Sequence, residues 1–153
     1  MATRIKPTAK VLHEQDFYVC AQNQAELLRE RRFNELDLAN LIEEVEDSAG
    51  AMRRWVRSRI ITIMVHLLKL QYSPATDPHL GWRETVRTQR TRPITDLTPT
   101  LRPEVAGQLS DIYARARHNA EGSLRDQWAG DAAAALPAAC SYTLNQITGD
   151  WLP

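Results

Sequence analysis

The sequence predicts an all-α fold: an irregular bundle of four main helices, one of them long (about 38–72), plus short helices. Three observations carry that class. Apolar residues recur at threes and fours over long stretches. Strand-length alternation of apolar and polar residues is missing, and so are Asn-Gly and Asp-Gly hairpin turns. The strongest apolar run, "IITIMVHLLKL", has 11 residues and contains His66 and Lys69, so it is too short to span a bilayer and reads as a buried helix.

The first helix is expected from about Asp16 to Arg31, with Asp16 as N-cap and Phe17, Cys20, Ala21, Leu27 and Leu28 on one side. Asp37 can cap the second. From there Leu38, Leu41, Ile42, Val45, Ala49, Met52, Val56, Ile60, Ile63 and Leu67 step by threes and fours. At about 100° per residue they form one stripe roughly 120° wide, whose phase does not slip at Ser48-Ala49-Gly50. One helix therefore fits better than a hairpin, with Gly50 as the place where a kink would fall. Beyond Ile60 the helix is apolar nearly all round, the mark of a segment buried on several sides. Pro74 stops it. Trp82 to Arg90 reads as a third helix ending before Pro93. A fourth has Pro103 in its first turn, Val105, Leu109, Ile112 and Ala116 as its buried stripe, and Gly122 as its close. A Thr143-x-x-Gln146 capping box opens a short helix near the end, and Trp151 and Leu152 read as a terminal plug.

The 153 residues suit one domain, expected over 14–153 behind a flexible N-terminal segment, 1–13. Nineteen basic residues balance nineteen acidic ones, which argues against a general nucleic-acid or membrane binder. Cys20 and Cys140 lie far apart without zinc-site spacing, and no apolar signal segment opens the chain. Both read as reduced thiols in a cytoplasmic protein.

"DFYVCAQNQAELLRERRFNELDLANLIEEVED", "HLLKLQYSP", "GWRETVRTQR", "LRPEV" and "CSYTLNQITGDWLP" occur in that order. In this combination the chain closely resembles the bacterial family known as domain of unknown function number 29, over about 14–153. The resemblance implies a small, soluble, all-helical bacterial protein, and brings no activity, cofactor or catalytic residue with it. Ala39 departs from the family pattern where an acidic residue is expected, so the acidic face here is one charge poorer.

The sharpest local feature is "LIEEVED", with Glu43, Glu44, Glu46 and Asp47 packed into five positions. Acids early in a helix complement its dipole and need no further purpose. Exposed glutamates, however, are commonly followed four residues on by a base. Here those positions hold Asp47, Ser48, Gly50 and Ala51, and the bases come later as a block: Arg53, Arg54, Arg57 and Arg59. Glu43 and Arg57 are equidistant from Gly50, as are Glu46 and Arg54, and all five share a helix face turned away from the apolar stripe. Two copies crossing antiparallel at Gly50 would match acid to base twice, the self-complementarity of a two-fold contact. Ile61, Val65 and Leu68 would add apolar area farther out. Self-association is thus the leading reading, with an additional protein partner left open. A competing reading pairs Glu43 and Asp47 with Arg83, Arg87 and Arg90 inside one chain, as structure without function.

An enzyme is the alternative, against which the sequence leans. Glu43-x-x-Glu46-Asp47 has the spacing by which all-α nucleoside-triphosphate pyrophosphohydrolases hold Mg²⁺, so a phosphohydrolase using Mg²⁺ or Mn²⁺ is conceivable. The second acidic motif such sites need is missing: Arg87 follows Glu84 and Gly107 follows Glu104 at the third position. Glu-x-x-His pairs for a di-iron bundle are missing too. No cofactor is expected otherwise. A second alternative treats Trp82, Arg83, Arg87 and Arg90 as a small nucleic-acid patch. His66, roughly 33 Å from Glu44 along a straight helix, reads as a core histidine bonded to a neighbour. His13, His79 and His118 read as surface residues, Tyr72 as a helix-end core residue, and Trp55 as packing on the first helix.

Overall fold

The computed structural model describes residues 16–91 and 97–153. The expected flexible segment 1–13, with His13, and the stop at Pro93 lie outside the described residues. Those residues form an all-helical bundle: α1 (Phe17–Arg29), a 3-10 turn (Phe33–Glu35), α2 (Leu38–Tyr72), α3 (His79–Arg90), α4 (Leu101–Gly107), α5 (Leu109–Asp126), α6 (Gly130–Ala134) and α7 (Leu144–Thr148). Among the described residues there is no strand. The chain divides into two compact units, Met1–Ala51 and Met52–Pro153.

In the first unit Asp16 caps α1 as expected, its carboxylate accepting from the Val19 N–H at 3.1 Å. The buried positions of α1 are Cys20, Gln24 and Leu27, while Phe17, Ala21 and Leu28 are exposed. The expected apolar face is therefore rotated, with an amide in its middle. Gln24 earns that place by accepting from the Asp37 N–H at 2.9 Å, which ties α1 to the start of α2. Asp37 in turn caps α2 through Asn40. α1 closes through Arg31 at φ 59°, with the Arg32 N–H on the Leu27 carbonyl and the Arg31 N–H on the Leu28 carbonyl.

α2 is continuous through Gly50 and 35 residues long, as its unbroken apolar phase requires. In the second unit Val56, Ile60, Ile63 and Leu67 of that stripe are buried, and Met64 and Leu68 join them, so this half is enclosed on several sides. Trp55 is half-buried against this core, with the Arg59 guanidinium 5.1 Å above its ring. Trp82 and Val86 of α3, Ile112, Tyr113 and Ala116 of α5, and Ile147 of α7 complete the centre.

The expected fourth helix is two. Gln108 (φ −97°, ψ 7°) leaves helical geometry just after Gly107, and its N–H is shared between the Glu104 and Val105 carbonyls. α5 also runs past Gly122 to Asp126, because Ser123 and Leu124 are held by the core: Ser123 bonds Lys69, and Leu124 is fully buried. The residue that closes α5 in left-handed geometry is Trp128, at φ 60°. The capping box at Thr143 and Gln146 is present as read. Leu152 packs on the core, while Trp151 stays part-exposed with its ring 5.8 Å from that of Tyr142.

Candidate interaction surface

α2 presents its charges outward. On its first-unit part Glu43, Glu46 and Asp47 are exposed and Gly50 is half-buried. On its second-unit part Arg53, Arg54 and Arg57 are exposed and Arg59 is half-buried. The basic block is not uniform. Arg53 pairs with Glu104 at 3.2 Å, and Arg59 hydrogen-bonds Gln89. Among the described residues Arg54 and Arg57 enter no ion pair, and neither do Glu43, Glu46 and Asp47.

Arg57 and Ile61 line an open cleft of about 660 Å³ together with Asp111, Ala114, Arg115 and His118 of α5. Two arginines and a histidine face one carboxylate there. Leu68, expected to supply apolar contact area, is instead fully buried in the core, and Ile61 and Val65 are half-buried against it. The reason is the all-round apolar character of α2 beyond Ile60, which its own unit already consumes. The uncovered apolar area lies elsewhere: Leu38, Ile42 and Val45 are 60%, 51% and 65% exposed, with Phe17, Tyr18 and Phe33 also outward. Charge is divided as well. Residues 1–51 hold ten carboxylates against six basic side chains, and 52–153 hold nine against thirteen.

Residues 12–152 match the family described as Domain of unknown function DUF29. The chain belongs to the DUF29 family. No curated protein and no solved structure matches it.

The arginine stripe on α3 of this DUF29 chain is unequal. Arg83 and Arg87 are exposed. Arg90 is buried, 6% exposed, and donates to the carbonyls of Ile147, Gln146 and Trp151 at 2.9, 2.8 and 2.7 Å, clamping the chain end. Burial draws its guanidinium below the ordinary range, and the Asp150 carboxylate acts the other way. Trp82 is also buried, with the Lys69 ammonium 4.5 Å over its ring. Trp82 is thus turned into the core, whereas Arg90 lines a cleft beside Arg83 and Arg87.

Sequence reasoning gave no role to Lys69, which is 6% exposed and donates to the Ser123 hydroxyl at 2.9 Å. Burial pulls its pKa down. His66 is half-buried, and burial, with the Lys69 charge second, lowers its pKa too. Its expected bond to a neighbour is not made: among the described residues His66 Nδ1 and His79 Nε2 are buried without a hydrogen-bond partner. His79 opens α3, half-buried and 5.4 Å from the Trp82 ring, whereas His118 is exposed. The only signal for this cluster was the placement of His66 and Lys69 inside an apolar run. Cys140 is a free thiol, half-buried, and Cys20 is buried. Burial pushes the Cys20 thiol up, and the Asp37 and Glu44 carboxylates push the same way, so it is a poor nucleophile at neutral pH. No three His, Cys, Asp or Glu side chains among the described residues converge to hold a metal ion. No helix among them is long and apolar enough to cross a membrane.

Proposed function

We propose that this DUF29 protein is a cytoplasmic interaction module that pairs with a second copy of itself, α2 crossing α2 antiparallel at Gly50. The observation that carries the reading is the division of the basic block. Arg53 and Arg59 are engaged within the chain, and the two left without an ion pair among the described residues are Arg54 and Arg57, the mirror partners of Glu46 and Glu43 about Gly50. Exposed charged groups spaced symmetrically about a point suit a two-fold contact. The cleft beside Arg57 supports it. Its two arginines and histidine suit the acidic turn of a partner's α2, and Ile61 in it stands opposite the partner's Ala39 by the same mirror spacing. Ala39 is small and suits contact with an apolar side chain.

Charge reversal tests this. Replacing Arg54 and Arg57 by Glu places acid against acid at both ends and should split the dimer. Adding Glu43→Arg and Glu46→Arg should restore it. A four-fold variant that stays monomeric while the wild type is dimeric would sink the pairing and leave some other contact.

A further inference from the structure

α3 ends in a cleft of about 410 Å³ lined by Arg83, Arg87 and Arg90 on one side and by Asp150 and Leu152 of the chain end, with Val86 also facing it. The arginines stand at i, i+4 and i+7, one helix face. Arg90 is a built feature: it is buried, and its Nε and Nη2 are fixed by three backbone carbonyls. A guanidinium has five N–H donors. The remaining two of Arg90, on Nη1, have no hydrogen-bond partner among the described residues, and neither Arg83, Arg87 nor Arg90 has an ion pair there. Among the described residues lining the cleft, three permanent positive charges face one carboxylate, Asp150, and the weak negative end of the α3 dipole.

We propose that this cleft binds a small phosphate-bearing anion. Guanidinium forks match phosphate oxygens in pairs, and a dianion with three or more free oxygens uses several arginines where a carboxylate uses one or two. The cleft volume lies in the range of small-ligand sites, and Val86 and Leu152 offer apolar surface to an organic remainder. A nucleic-acid strand fits less well, because base stacking needs an accessible ring and Trp82 is buried beneath Lys69. The site is independent of the α2 pairing.

The test is calorimetric titration of the full chain with inorganic pyrophosphate at constant ionic strength. Saturable binding is expected, weakened about tenfold or more in Arg83→Gln/Arg87→Gln, where two charge-assisted bonds are lost. Both side chains are exposed, so a wild-type melting temperature should accompany the loss. Asp150→Asn removes the opposing charge and should tighten binding several-fold, an effect that non-specific screening would not give. No saturation at millimolar pyrophosphate, or equal binding by the double variant, overturns the proposal. So does tighter binding of a single-stranded oligonucleotide that is lost in the same double variant, which would make the stripe a nucleic-acid surface.

Discussion

Trp128 is 97% exposed and sits at φ 60°, the position where a helix end favours glycine. Its side chain buries nothing, so Trp128→Gly should raise stability by about 0.5–1 kcal/mol, read by urea unfolding. Gly122 is the converse: it lies inside α5, and an added Cβ would meet nothing within 4 Å. Gly122→Ala should gain about 0.5–1 kcal/mol by the same measurement. The sequence places Gly122 at the helix end, whereas the structure puts it inside α5 and closes the helix at the exposed Trp128. The end of α5 is set by where Lys69 and the core hold Ser123 and Leu124, and that information is not local. His66 and Lys69 make the same point, since their setting depends on α3 and α5. The fold lowers the His66 pKa, so the unfolded chain takes up a proton near pH 6.5 while the folded chain resists. Stability should therefore fall as the pH drops from 6.5 towards the depressed folded value, and be unaffected by this group above that window. Melting temperatures between pH 7.5 and 5 should show a shallower decline in His66→Gln than in wild type; parallel curves would deny His66 the role.

At the scale of the helix, α2 is one stripe with two fates. Its phase was legible from Leu38 to Leu67, because 3.6-residue periodicity is a property of the chain itself. Which half would be covered was not, since burial depends on what other elements bring. Ile60 is fully buried and Ile42 is 51% exposed, although both occupy the same stripe. Ile60→Ala should cost about 2–5 kcal/mol, and Ile42→Ala about 0.5 kcal/mol or less. Chemical denaturation of the two variants decides it; equal costs would mean that Ile42 is covered in solution. The Asp16 and Thr143 caps were legible because a cap is a contact between residues three apart. The break at Gln108 was missed because nothing in its own spacing interrupts the apolar stripe of α4 and α5.

For the molecule as a whole, the zero net charge hides a division between an acidic first unit and a basic second one. The acid-then-base order on α2 was visible in the sequence, whereas the intrachain engagement of Arg53 and Arg59 was not, because Glu104 and Gln89 come from distant segments. A pairing built on exposed charges weakens with salt, so the proposed dimer should dissociate at lower dilution in 0.5 M than in 0.05 M salt, as the Debye length shrinks below about 10 Å. The decisive measurement is a light-scattering mass on a sizing column at micromolar protein, with chelator and again with Mg²⁺ or Mn²⁺. Twice the chain mass, indifferent to metal, is the expected result. A single-chain mass contradicts the pairing, and if that monomer also melts higher with metal, Glu43, Glu46 and Asp47 belong to a cation instead.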